Sequence, residues 1–205
     1  MRSDPCFGLA NPIIDFNLGD EAELYLIKGF YVPPEADELF SALLNGLSWQ
    51  EEDILIFGKW VKVPRLMCWH GDAKAHYEYS GVNHIPLPWT SELQRIRKKI
   101  EQQCGCDFNS VLANLYRDGR DSMGCHADDE KELGINPTIA SLSLGDERQF
   151  KMHHKKTKRS LTIHLQHADL LVMGGTCQHY WMHSVPKTKA AKTPRINLTL
   201  RKILV

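Results

Sequence analysis

Pro194-Arg195-Ile196-Asn197-Leu198-Thr199-Leu200-Arg201 alternates between polar and apolar side chains without a break after the proline. Successive side chains of a strand point to opposite faces. Arg195, Asn197, Thr199 and Arg201 therefore share one face, and Ile196, Leu198 and Leu200 share the other. Such a strand fits two settings. It can lie with its polar face in solvent, as in many antiparallel sheets. Or the polar face can turn inward, where two arginines are costly to bury without anions. A dicarboxylate resolves that cost, because guanidinium forms paired, planar hydrogen bonds to carboxylates that lysine cannot reproduce.

Working back from this strand, period-two segments bounded by Gly, Pro, Asp and Asn recur to about residue 110. They predict eight short strands at roughly 111–116, 124–128, 138–144, 148–153, 161–165, 169–173, 180–185 and 194–201. Eight such strands suggest a sandwich or jelly roll. In the first, Asn114 and Tyr116 share a face opposite Val111, Ala113 and Leu115. Upstream, Leu24–Ile27 reads as a strand, and Pro33-Pro34 opens a helix with Leu39, Phe40, Leu43, Leu44 and Leu47 on one side. A second helix begins at Thr90 or Ser91, where Ser91 followed by Gln94 resembles a capping box. Its stripe is Leu93, Ile96 and Ile100. The two helices are expected to cover one face of the β region, a mainly β fold with flanking helices. Two basic stretches, His153–Ser160 and Lys187–Thr193, read as flexible.

Composition narrows the class. The 205 residues are 42% hydrophobic and 24% charged, the balance of a water-soluble globular protein. No run of 18 apolar residues offers a membrane helix, and the first residues hold no apolar core of signal-peptide length. These features predict an intracellular protein, cytoplasmic in a bacterium or nuclear in a eukaryote. Charge is balanced overall but uneven: residues 1–60 carry 11 acidic against three basic side chains, a net −8, and residues 61–205 carry 22 basic against 14 acidic, a net +8. A basic face compatible with nucleic acid is therefore not excluded. Six cysteines without a Cys-x-x-Cys pair argue against a disulfide framework or a zinc ribbon.

Three His-x-Asp pairs occur: His70/Asp72, His126/Asp128 and His167/Asp169. Ten His and thirteen Asp in 205 residues give about 0.6 by chance, so the pair alone decides nothing. Residues i and i+2 of a strand face the same side and can share one metal ion. Two His and one carboxylate on one face of iron(II) leave three positions open. His126 and Asp128 lie in the second predicted strand and His183 in the seventh, and these two strands can lie side by side in a jelly roll. His167 reads as a turn or strand-edge residue, and His70 with Asp72 as part of a loop.

The segments Asn-Leu-Tyr-Arg-Asp-Gly at 114–119, His-Ala-Asp-Asp-Glu at 126–130, Ile-Ala-Ser-Leu-Ser-Leu-Gly at 139–145, His-Ser-Val-Pro at 183–186 and 194–201 together resemble the AlkB family of iron(II)- and 2-oxoglutarate-dependent dioxygenases. The likeness is greatest to members that repair alkylated DNA in duplexes. It implies a double-stranded β-helix over 110–205, preceded by an extension over 21–109 with a nucleotide-recognition lid and an unassigned arm over 1–20. It implies that His126, Asp128 and His183 hold Fe(II), and that Asn114, Tyr116, Arg195, Asn197, Thr199 and Arg201 surround 2-oxoglutarate. With O2 as the further reactant, the implied activity is oxidative demethylation of 1-methyladenine and 3-methylcytosine in DNA. Succinate, carbon dioxide and formaldehyde are released.

The same resemblance places substrate residues. Phe57, beside Gly58, would fill the gap left by a flipped base, and Tyr77, Tyr79 and Ser80 match a lid position. Asp129 and Glu130 follow the metal aspartate; Glu130 would face the base, and Asp129 would organise nearby arginines such as Arg148. Lys151, Lys155, Lys156, Lys158, Arg159, Lys187, Lys189 and Lys192 would grip phosphates. The alternatives are the same chemistry on RNA or tRNA, a protein hydroxylase, and a non-catalytic jelly-roll binding module. A monomer without membrane contact is expected.

Overall fold

A computed structural model describes residues 11–19, 21–56, 58–75, 77–79, 82–190 and 192–204, with backbone alone at 54–56, 77–79 and 82–84. Fourteen strands are described: β1 (Ile13–Asp15), β2 (Ala22–Ile27), β3 (Gln50–Ile56), β4 (Lys59–Gly71), β5 (Tyr77–Tyr79), β6 (Val82–His84), β7 (Ser110–Tyr116), β8 (Met123–His126), β9 (Ile139–Gly145), β10 (Arg148–His154), β11 (Ser160–Leu165), β12 (Leu170–Gly175), β13 (Trp181–Val185) and β14 (Arg195–Arg201). The helices are α1 (Pro33–Gly46), α2 (Ser91–Cys104) and the four-residue α3 (Cys177–Tyr180). No described helix is long and apolar enough to cross a membrane.

The eight strands expected from residue 110 onward all form, as β7 to β14. They divide between two antiparallel sheets. β12, β9, β14 and β7 form the middle of an eight-stranded sheet ordered β1-β2-β12-β9-β14-β7-β4-β3, and β11-β10-β13-β8 form a four-stranded sheet. The upstream segments do more than cover this core. β2 extends one edge by pairing with β12, and β4 extends the other by pairing with β7.

The strand period is visible in the packing. Ile196, Leu198 and Leu200 are fully buried on one face of β14, beside Ala140, Leu142 and Leu144 of β9 and Val111 and Ala113 of β7, under α1 and α2. α1 contributes Ala36, Leu39 and Leu43 to this layer, and α2 its stripe of Leu93, Ile96 and Ile100. Pro33 and Pro34 start α1 where a missing N–H costs no helical bond. α2 is capped by Thr90, whose hydroxyl accepts from the Leu93 N–H at 3.3 Å. Ser91 instead bonds the neighbouring Glu92 side chain, so the cap falls at Thr90, and with Leu93 at the third helical position the capping box expected at Ser91 does not form. Between the two sheets, a second cluster holds Leu24, Tyr116, Phe150, Met152, Met173 and Trp181.

Gly145 ends β9 at φ +92, opposite Arg195 in the ladder. A Cβ there would stand 2.4 Å from the Pro194 carbonyl and 2.8 Å from the Phe40 ring. Glycine at this point lets β14 enter the sheet at Arg195.

The basic segment from His153 to Ser160 begins and ends in strands, with a turn between them. His153 and His154 complete β10, and the His154 ring accepts from the Lys156 and Thr157 backbone N–H groups to close a tight turn into β11. His70 is not in a loop either: it sits near the end of the long β4, buried, with Nδ1 2.7 Å from the Pro88 carbonyl oxygen. Asp72 just beyond it accepts from Trp89 and Arg97. His167 accepts the Gly145 N–H, and Asp169 accepts from Lys28 and the Gly29 N–H, so both are turn fasteners.

Candidate metal and cosubstrate site

The site is built on the facing inner sides of the two sheets. β13 pairs with β8 so that His183 stands directly opposite His126 in the ladder. The imidazole centroids are 4.3 Å apart. Asp128 follows two residues after His126, just past the end of β8, with its Oδ2 3.7 Å from His183 Nε2. One donor atom from each of the three residues lies within 4.8 Å of the others. Among the described residues no other His, Cys, Asp or Glu group gathers in this way.

Local bonds prepare these donors. His126 Nδ1 lies 2.9 Å from the Gly124 carbonyl; donation from Nδ1–H leaves the Nε2 lone pair for a metal. Burial pushes the His183 imidazole down to about 4, with Asp128 opposing and His126 and Arg201 adding to the shift. It is therefore neutral near pH 7 and able to bind a cation. Burial alone would raise the Asp128 carboxyl, but Arg201 at 3.3 Å and the two imidazoles hold it below the usual carboxylate range.

The polar face of β14 turns inward. Tyr116, Arg195, Asn197, Thr199 and Arg201 line one cavity with His126, Asp128 and His183. Asn114 lies behind this wall, with its Nδ2 3.5 Å from Asn197 Oδ1. Asn197 is fully engaged: its Nδ2 donates to Ser141 Oγ at 2.8 Å and to the Leu142 carbonyl, and its Oδ1 accepts from Thr199 at 3.0 Å.

Arg195 differs from its neighbours. It is 1% exposed and packs over the Tyr116 ring at 5.1 Å. Only Nη2 finds an acceptor, Ser143 Oγ at 2.9 Å; Nε and Nη1 have none among the described residues. Burial pushes its guanidinium down to about 10. A buried cation with two open donors is the arrangement a carboxylate completes. The donor set of two imidazoles and a carboxylate fits iron(II), and the open face of Arg195 fits one end of a dicarboxylate such as 2-oxoglutarate.

The other expected residues are placed differently. Gly58 is exposed in the β3–β4 turn at φ +75. Phe57 and Ser80 lie outside the described residues, as do the side chains of Tyr77 and Tyr79. Asp129 and Glu130 follow Asp128 but do not line the cavity. Asp129 is exposed and pairs with Lys155 at 3.2 Å, not with arginine. Arg148 is buried elsewhere, donating to the carbonyls of Asp118, Asp121 and Pro186. The basic stretches are partly engaged too, Lys192 with Asp146 and Arg159 with the Leu18 carbonyl.

Four contributors escaped the sequence reading. Arg65, buried on β4, donates from Nε to Asn114 Oδ1 at 2.7 Å and so sets the orientation of that amide. Its position between Val63 and Met67 on one strand face was the available signal. Ser141 and Ser143 alternate on β9 with Ala140, Leu142 and Leu144, and by the same period they belong to the inner face. Gln178 gave no signal.

Two imidazoles and a carboxylate held between the sheets of a double-stranded β-helix, beside a buried arginine with open donors, define a non-haem iron(II) oxygenase that uses a dicarboxylate cosubstrate. The chain belongs to the AlkB family of 2-oxoglutarate- and Fe(II)-dependent dioxygenases: residues 23–201 match the 2OG-Fe(II) oxygenase superfamily. It is 39% identical over 181 residues to the mouse DNA oxidative demethylase ALKBH2, covering 83% of this chain and 76% of that one. The bovine protein of the same description is 38% identical, with 83% and 65% covered. Bovine alpha-ketoglutarate-dependent dioxygenase alkB homolog 3 is 38% identical over 188 residues, with 87% and 65% covered. Among solved structures, that of OsALKBH1 superposes with a TM-score of 0.63 at 18% identity, over 87% of this chain and 97% of that one, and so supports the fold.

Proposed function

We propose that this chain oxidatively removes alkyl groups from nucleic-acid bases, and that its substrate is DNA carrying lesions of the 1-methyladenine and 3-methylcytosine type. The observation that carries this reading is a single buried cavity uniting His126, Asp128 and His183 with the open donors of Arg195, in a chain 38–39% identical to proteins described as DNA oxidative demethylases. In this reading His126, Asp128 and His183 hold iron(II). Arg195 takes the carboxylate of 2-oxoglutarate remote from the metal. Arg201, already beside Asp128, takes the nearer end. Tyr116 and Thr199 complete the contacts, and Asn197, with Asn114 behind it, orders the wall between the two arginines.

Bound iron(II) with 2-oxoglutarate and O2 supplies the oxidation: the cosubstrate becomes succinate and carbon dioxide, and the N-methyl group becomes a hydroxymethyl that leaves as formaldehyde. The protein's part is geometric and electrostatic. The neutral His183 and ionised Asp128 present lone pairs without first losing protons. The apolar lining from Leu112, Met123, Phe150 and Val185 limits water beside the donors. Phe57, Gly58, Tyr77, Tyr79, Ser80, Asp129 and Glu130 are assigned to the base and the gap it leaves, with residues 21–109 serving as the recognition extension. Methylated bases pair poorly, so extruding them costs less.

The test is mass spectrometry of an oligonucleotide bearing one 1-methyladenine, incubated with protein, iron(II), ascorbate and 2-oxoglutarate. Single-stranded DNA, duplex DNA and RNA are compared, with His126→Ala as control. Loss of the methyl group from DNA, absent in His126→Ala, is expected. Demethylation of the RNA alone would transfer the activity to that polymer. Succinate formed without demethylation of any oligomer would overturn the nucleic-acid reading.

A further inference from the structure

The three metal donors are not held alike. His126 and His183 are fixed by the β8–β13 ladder, where they face one another. β8 ends at His126, and the chain leaves the sheet before Asp128. The backbone under the carboxylate donor therefore has no ladder partner, yet it is buried. A buried N–H without an acceptor is costly. Its acceptor here is a side chain: Gln178 Oε1 receives the Asp128 N–H at 2.9 Å across 50 residues.

We infer that Gln178 is a positioning residue for the metal carboxylate, fixing the backbone from which Asp128 reaches the ion; this rests on the reading that His126, Asp128 and His183 hold metal. Several observations support it. Gln178 is 1% exposed, an environment that seldom holds a free amide. Among the described residues its Nε2 meets only a weak acceptor, Met173 Sδ at 3.6 Å. The amide orientation is thus set by the Asp128 contact: turned over, its NH2 would confront another N–H. Gln178 also sits on α3, which leads within a few residues into His183 on β13. One short segment therefore grips the carboxylate donor and delivers an imidazole donor. From outside, Lys155 Nζ donates to the Gln178 carbonyl at 2.9 Å and to Asp129 Oδ2 at 3.2 Å, tying α3 to the loop that carries Asp128.

A purely space-filling role predicts lower stability with unchanged metal binding. A positioning role predicts weaker and differently shaped metal binding. The discriminating experiment is titration of the metal-free full chain with Co(II), followed by the visible d–d bands, which respond to ligand geometry. Circular dichroism and thermal unfolding of each metal-free variant accompany it. Gln178→Met removes the acceptor at similar volume and is expected to weaken Co(II) binding by about 10- to 100-fold and to alter the d–d bands. Gln178→Asn, which keeps a polar amide but falls one methylene short, is expected to do the same, and it decides the matter if Gln178→Met does not fold. Lys155→Met is expected to weaken binding by about threefold. Wild-type affinity and an unchanged d–d spectrum in the folded Gln178 variants would overturn the inference while leaving the metal site in place. Undiminished Co(II) binding by His126→Ala would overturn the site itself, and the inference with it.

Discussion

The two faces of β14 share a backbone and differ in every other respect. Toward the helices, Ile196, Leu198 and Leu200 are completely buried among apolar neighbours. Toward the cavity, Arg195 is as deeply buried but leaves two donors open, and Arg201 sits beside a carboxylate that a metal would claim. One face contributes stability; the other holds charge at a standing cost that its ligands are meant to offset. Substitution at neighbouring positions should therefore separate folding from catalysis within a single strand.

The largest effect is expected at Arg195. Arg195→Met removes the guanidinium and retains bulk. Leaving a carboxylate in a buried site without its charged partner costs about 3–5 kcal/mol, so the KM for 2-oxoglutarate should rise by at least about 10²-fold. Unfolding of the ligand-free variant should be unchanged or shifted upward, because replacing an uncompensated buried charge with an apolar chain is often neutral or stabilising. Succinate production and thermal unfolding measure the two sides. A stability loss as large as that of a core truncation would break the comparison.

Leu198→Ala, three positions along and on the opposite face, should do the reverse. A fully buried leucine reduced to alanine costs about 2–5 kcal/mol. Urea unfolding should show that loss, while the KM for 2-oxoglutarate stays within about twofold of wild type at temperatures where the variant is folded. A large change in KM would mean that the two faces are mechanically coupled through the strand.

This division was legible in the sequence because alternation records both burial and register. The strict period of 194–201 gave the two faces, the three His-x-Asp pairs were resolved by which one has a histidine in a partner strand, and all eight core strands form. The extension was harder. β4 and β2 join the large sheet through pairings with β7 and β12 that no local pattern announces, and His70 therefore read as a loop residue although it closes a long strand. Residues that act at a distance left no trace: Gln178 sits in a four-residue helix, and its partner is 50 positions earlier. Asp129 and Arg148 failed as a pair for a related reason. Charge suggested the partnership, but Arg148 faces carbonyls of the loops after β7 and β13, while Lys155 in the β10–β11 turn lies nearer to Asp129.

The smallest expected effect lies on the cavity face itself, at Thr199. Its hydroxyl donates to Asn197 Oδ1 at 3.0 Å, one strand turn from Arg201. Thr199→Val keeps the branched shape and removes that bond, but Asn197 retains Ser141 Oγ and the Leu142 carbonyl as acceptors and still has Asn114 Nδ2 beside its oxygen. The loss of stability should be near 1 kcal/mol or less. The threonine hydroxyl gives the cosubstrate at most one neutral hydrogen bond, so the KM for 2-oxoglutarate should rise by no more than about fivefold. A rise comparable to that of Arg195→Met would mean that recognition is shared along the polar face and does not rest on the charges. A change confined to Arg195 and Arg201 would locate it at the two ends of the strand, where the charges are.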